Sequence, residues 1–196
     1  MIHASIGAVA LRFETTEALF SPRGVDAGTL AMLSRVVIEQ GDKVLDLGCG
    51  YGCVGVYAAR LTAPRRVWLV DNDPVAVEYA RRNLRLNGME GPAVVLSDGF
   101  RNLEETGFDK ILCNPPFHAD FSVPKHLIEK GFNRLVLGGA LWMVTRRDAW
   151  YRNKLGAIFG GVRVHAADGY FVFEARKKSL TYAAPAKSAP GRRSGR

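Results

Sequence analysis

Short apolar runs alternate along the chain with longer stretches in which apolar positions recur every three or four residues. The first long stretch, residues 25–38, has helical spacing, with Asp26 near its start and Gly41-Asp42 past its end. Residues 43–47 read as a strand, 52–61 as a helix of small residues, and 66–70 as a second strand. Asp73-Pro74 supplies an N-cap followed by proline at the first helical position, opening a helix that runs to Asn87-Gly88. Strands are expected at 92–97 and 108–113, a helix at 124–135, a strand at 140–145 after Gly138-Gly139, and a helix at 149–159. A strand pair at 162–166 and 170–175 closes the pattern. Strands alternating with helices predict an α/β fold with a mainly parallel sheet covered on both faces.

Sheets of this kind bind ligands beyond the carboxyl ends of their strands, near the point where strand order reverses. Asp46, Asp71, Asp98 and Asn114 all fall at such ends. Asp46 precedes Gly48, Gly50 and Gly52, spaced Asp-x-Gly-x-Gly-x-Gly. Glycines there let the backbone turn and approach a ligand, although a tight strand-to-helix turn uses them too. Asp71 is placed to accept ribose hydroxyls, because Asp73 fills the helix-capping role. Asn114-Pro115-Pro116-Phe117 ends an apolar run at two prolines, which fix the turn and cannot join a ladder. Asn114 and a carbonyl of that turn can accept hydrogen bonds from an amino group, and Phe117 offers a face for a planar ring. These are the parts needed to hold a nucleobase or an amide by its NH2 group.

Taken together, these motifs resemble the class I S-adenosylmethionine-dependent methyltransferases of the small-domain NPPF type. Asn114-Pro115-Pro116-Phe117-His118 is similar to the form of the motif in bacterial ribosomal RNA guanine-N2 methyltransferases. Two further segments resemble that family: Phe13-Glu14-Thr15-Thr16 through Phe20-Ser21 to Asp26-Ala27-Gly28-Thr29, and Phe159-Gly160-Gly161-Val162 with Asp168-Gly169-Tyr170. The resemblance covers most of residues 9–176 and implies a Rossmann-like fold with a seven-stranded, mostly parallel sheet. It implies S-adenosyl-L-methionine as cofactor and ribosomal RNA or a ribosomal subunit as partner, the small subunit preferred. It assigns the chemistry to Asn114, Pro115 and Phe117. Asp46, Gly48, Gly50, Gly52, Asp71, Asn72, Asp98 and Gly99 are assigned to the cofactor, with Asn72 and Phe100 as candidates to flank its adenine. Pro116, His118, Phe20 and Arg23 are assigned to the substrate, and no metal is required. Larger members carry a second, degenerate N-terminal domain; these residues match the catalytic half.

Composition narrows the picture in three ways. With 196 residues, 47% of them hydrophobic and 23% charged, the chain can bury one substantial core. No apolar run approaches the roughly 18 residues of a membrane span, and the N-terminus lacks the basic flank of a signal peptide. The net charge of +8 is concentrated: residues 176–196 hold seven of the 27 basic residues and none of the 19 acidic ones. The expected organisation is an N-terminal hairpin segment at 1–24, a catalytic domain at 25–178 and a disordered basic tail at 179–196, with the tail adding salt-sensitive attraction to nucleic acid. Cys49, Cys53 and Cys113 make neither a disulfide framework nor a zinc spacing, which fits a reduced cytoplasmic protein. Cys113 abuts the proline turn but lacks an obvious activating partner, so a packing role is expected. The amino-holding turn also suits adenine N6 or a glutamine side-chain amide, and a non-catalytic RNA-binding factor on the same fold is the remaining alternative.

Overall fold

The computed structural model describes residues 1–115 and 121–183. An N-terminal antiparallel hairpin, β1 (Ile2–Ile6) and β2 (Val9–Phe13), forms a small sheet of its own. The main sheet has seven strands: β3 (Val44–Leu47), β4 (Val67–Asp71), β5 (Ala93–Leu96), β6 (Phe108–Cys113), β7 (Leu135–Thr145), β8 (Arg163–Ala167) and β9 (Tyr170–Arg176). Their order is β5-β4-β3-β6-β7-β9-β8, parallel from β5 to β7 and antiparallel at β7/β9 and β9/β8. The chain winds outward from β3 to β4 and β5, then returns to place β6 on the other side. The switch point therefore lies between β3 and β6, and the carboxyl ends of β3, β4 and β6 carry Gly48, Asp71 and Asn114.

Helices cover both faces. α1 (Ala27–Leu33), α2 (Cys53–Leu61) and α3 (Pro74–Leu86) pack with the hairpin on one side; α4 (Ser122–Arg134) and α5 (Ala149–Phe159) pack on the other. All four residues of β3 are buried, because Val44 faces the first layer while Leu45 and Leu47 face the second. Gly55 is a packing requirement of this arrangement: a Cβ there would lie 2.3 Å from Leu69 Cγ. Among the described residues no helix is long and apolar enough to cross a membrane.

Three local departures from the sequence pattern have physical reasons. The first helix spans only Ala27–Leu33; Val36 and Ile38 are buried from an irregular segment, so their spacing reports burial without helix. β7 begins at Leu135 and runs through Gly138-Gly139 with a register shift opposite Phe108/Lys110. A Cβ at Gly139 would sit 2.9 Å from the Phe108 carbonyl oxygen, so glycine is what lets the strand continue there. The segment expected as a tail from residue 179 is docked over its first five residues: Tyr182 Oη donates to the Glu129 carbonyl (3.1 Å) and Ala183 N–H to that of Ile158 (3.0 Å). Residues 184–196 lie outside the described residues.

Two asparagines four residues apart, Asn83 on α3 and Asn87 at its C-cap, bind the hairpin to the body. Asn87 exchanges both amide bonds with the backbone of Arg12 (3.1 and 2.7 Å), and Asn83 does the same with Glu14 (2.7 and 2.8 Å). Each side-chain amide takes the place of a neighbouring strand. Asn83 Nδ2 also donates to the Tyr51 carbonyl, tying the segment after β2 to the glycine loop.

Candidate active site

At the switch point the loop after β3 folds back over β4. The N–H groups of Gly48 and Cys49 both donate to the Val70 carbonyl (2.8 and 2.9 Å), and Gly48, Gly50 and Gly52 all have φ between 53° and 91°. Side chains there would strain the backbone, so the glycines are required by the turn itself. Asp71, at the end of β4, uses one carboxylate oxygen for the Gly50 N–H (2.8 Å) and the other for the Asp73 N–H (3.0 Å). Asp73 in turn accepts from Val75 N–H (2.8 Å) and caps α3, leaving Asp71 at the loop.

Asp46 is buried. It is 2% exposed, and its Oδ2 accepts the Gly55 N–H at 2.8 Å. α2 lacks a side-chain cap because Gly52 precedes it, and this carboxylate reaches up from the sheet to serve its first turn. Burial pushes its pKa up to about 7, outweighing the Gly55 bond that favours the charged form; the nearby Asp71 adds to the rise. The thiols of Cys49, Cys53 and Cys113 are all pushed up by burial and by the neighbouring Asp46 carboxylate. Cys113 is buried and packs with the α4/α5 layer, away from nucleophilic use.

A cavity of about 430 Å³ opens beside this loop. Of the residues singled out from sequence, Gly48, Gly50, Asp71 and Asn72 line it from the glycine-loop side. Asn114, Pro115 and the half-exposed Phe20 line it from the other. Asp46 and Gly52 support the loop from behind. Asp98 is exposed and, with Gly99 and Arg23, does not line the cavity. Phe100, expected as a possible flank for a ring, is 4% exposed and belongs to the core under Arg134. Pro116, Phe117 and His118 lie outside the described residues. A larger hollow of about 530 Å³ sits on the hairpin near Arg12 and Arg60, remote from these groups.

Two residues that sequence patterning placed on the first helix also belong to the cavity: Asp26 and Thr29. Asn114 Nδ2 donates to Asp26 Oδ2 and to Thr29 Oγ1, both at 2.9 Å. Asn114 Oδ1 is buried and has no hydrogen-bond partner among the described residues. Such an acceptor is costly to leave unmet and marks a place where a ligand donor fits. Asp26 reads from sequence as an N-cap, and it does accept the Thr29 N–H (2.8 Å). The spacing of an aspartate N-cap and a threonine three residues on was the available signal for a second role.

Fold and site define a class I methyltransferase domain. The chain matches the methyltransferase small domain over residues 10–174 and belongs to that family. It is 35% identical over 179 residues to a Pseudomonas putida protein named ribosomal RNA large subunit methyltransferase G, covering 88% of this chain and 48% of that one. A Shewanella amazonensis protein of the same name is 35% identical over 161 residues, covering 79% of this chain and 42% of that one. Among solved structures, a T. thermophilus 16S ribosomal RNA guanine-N2 methyltransferase (RsmC), in complex with AdoMet and guanosine, superposes with a TM-score of 0.81 at 29% identity, covering 89% of this chain and 49% of that one. The chain thus spans about half the length of the relatives it matches.

Proposed function

We propose that this chain is the catalytic unit of an S-adenosylmethionine-dependent N-methyltransferase acting on the exocyclic amino group of a base in ribosomal RNA, guanine N2 in particular. The observation that carries this reading is Asn114 Oδ1, a buried acceptor unpaired among the described residues, at the carboxyl end of β6 and across one cavity from the glycine loop. The RsmC complex holds both AdoMet and guanosine, which supports the same pairing of ligands here.

The residues present fit the cofactor. The Gly48–Gly50 backbone and the Asp71 carboxylate line the cavity, and Asp71 is assigned the ribose hydroxyls, with Asn72 at the adenine side. Asp98 and Gly99 are assigned the outer edge of the adenine site, because the Ser97 N–H bonds the Asp71 carbonyl (2.8 Å) and sets that turn beside it. Bound there, S-adenosylmethionine supplies an electrophilic methyl group. The protein's own contribution is to position the acceptor nitrogen. The lone pair of a guanine amino group is delocalised into the ring, so that nitrogen is a weak nucleophile. With Asn114 Oδ1 and the Pro115 carbonyl each accepting one N–H, the nitrogen is oriented and its lone pair turned toward the methyl group. A paired base would have to leave its stack to reach this site, and Phe117 is assigned as its stacking surface. Pro116, His118, Phe20 and Arg23 are assigned to the substrate, Phe20 and Arg23 at the mouth.

The relatives divide between the two ribosomal subunits in their names, so the particle is decided by experiment. Labelled S-adenosylmethionine is offered with isolated small subunits, large subunits, free ribosomal RNA and DNA, followed by nucleoside mass analysis. N2-methylguanosine is the expected product, and the preferred particle identifies the subunit. N6-methyladenosine overturns the base assignment. Label in protein alone overturns the nucleic-acid substrate, and absence of cofactor binding overturns the enzyme reading.

A further inference from the structure

The geometry points to Asp26 and Thr29 as the positioning pair that fixes the Asn114 side-chain amide and makes the site accept hydrogen-bond donors only. This inference rests on Asn114 being the acceptor for the substrate amino group. An asparagine amide has two donor hydrogens and one acceptor oxygen, and rotation about its last torsion exchanges them. Left free, such a residue would receive an amino group or a ring carbonyl equally well. Here both hydrogens are spent, one on the Asp26 carboxylate and one on the Thr29 hydroxyl, each at 2.9 Å. Exchange would turn Asn114 Oδ1 against a carboxylate, which repels it. Only Oδ1 remains for the ligand, so bases or amides that present a carbonyl at this point find no donor.

Asp26 is itself held from three directions. It accepts the Thr29 N–H at 2.8 Å and the Tyr170 hydroxyl at 3.4 Å, in addition to Asn114. Tyr170 is buried, receives a hydrogen bond from Arg146 (3.1 Å) and lies under its guanidinium (4.8 Å from ring centroid to Cζ). The ring fits only because residue 28 is glycine: a Cβ there would be 2.6 Å from Tyr170 Cε1. Two sequence segments 144 residues apart, Asp26-Ala27-Gly28-Thr29 and Asp168-Gly169-Tyr170, therefore converge behind one amide. The same geometry forbids aspartate at position 114, since its carboxylate would face that of Asp26.

The test uses Thr29→Val, which keeps the backbone N–H that caps α1 and removes only the acceptor, with Thr29→Ser as the conservative control. Heteronuclear NMR of the whole chain reads the Asn114 side-chain protons directly, assigned by their disappearance in Asn114→Ala. Both are expected to be protected from solvent exchange in the wild type and in Thr29→Ser, and one is expected to exchange freely in Thr29→Val. With protein-free ribosomal RNA as probe, Thr29→Val should lower kcat about tenfold with cofactor affinity unchanged, and Thr29→Ser should restore it. Asn114→Asp should be inactive, because its carboxylate would face Asp26 Oδ2, which also holds the Thr29 N–H. Unprotected Asn114 protons in the wild type, or a Thr29→Val variant with both protons protected and kcat unchanged, overturn the positioning role. Full transfer by Asn114→Ala overturns the underlying reading of Asn114, a different outcome from failure of the pair alone.

Discussion

Asp46 and Gly55 face each other across the β3–α2 junction, the carboxylate oxygen 2.8 Å from the amide nitrogen in a region closed to water. One buried acid thus replaces the cap that Gly52 cannot provide, and its cost is electrostatic. The folded-state pKa of Asp46 is about 7 against an ordinary 3.8. Between those values the folded protein holds a proton that the unfolded chain has released. Stability from this group is complete below pH 4 and is lost as pH rises toward 7, by about 1.4 kcal/mol per pH unit. Thermal melts from pH 5 to 8 should show that decline. Asp46→Asn, which keeps an oxygen for the Gly55 N–H, should flatten it and raise Tm at pH 8; an unchanged slope would assign the effect to another group.

Asn114→Ala removes the unpaired acceptor and leaves the glycine loop and Asp71 untouched. Methyl transfer should fall by about 100-fold or more, the scale seen when an oriented transition-state hydrogen bond is removed. Cofactor affinity by calorimetry should stay within about threefold, since nothing in the loop depends on Asn114. Equal loss of binding and turnover would mean that the side chain supports the cavity as a whole.

Asp71 offers a contrasting test on the other wall. Its two carboxylate oxygens hold the Gly50 and Asp73 N–H groups, so Asp71→Ala removes the proposed ribose acceptor and loosens the loop together. Cofactor affinity should drop by about tenfold to 100-fold, corresponding to one or two charge-assisted hydrogen bonds. Calorimetry with S-adenosylmethionine reads this directly, and a variant that binds normally would remove Asp71 from the cofactor site.

Much of this architecture is legible in the chain because it is local. The strand-to-helix alternation, the Asp73-Pro74 start and the glycine spacing each depend on neighbours within a few residues, and they place Gly48, Asp71 and Asn114 at one edge. What escapes is long-range. Asp26 satisfies a local rule as an N-cap, and that sufficiency hides its contact with Asn114, 88 residues away. Phe100 errs in the opposite sense: its position after β5 suggests a ligand contact, but the turn directs the ring into the core. Val36 and Ile38 carry helical spacing without helix, because burial alone produces the same pattern.

Asn83 and Asn87 are the clearest case of a device that periodicity cannot reveal, and they yield a separable prediction. Both pair with backbone of the segment that follows or forms β2, so either alanine variant strips two hydrogen bonds from part-buried main chain. Each should cost about 1–3 kcal/mol in chemical denaturation, as expected for the loss of two part-buried hydrogen bonds. Only Asn83, however, also donates to the Tyr51 carbonyl inside the glycine loop, at 2.8 Å. Asn83→Ala should therefore weaken cofactor binding several-fold at temperatures where the protein remains folded, while Asn87→Ala should change stability alone. Equal effects of the two on cofactor affinity would show that the hairpin reaches the site through general loosening; a difference traces it through the one bond to Tyr51.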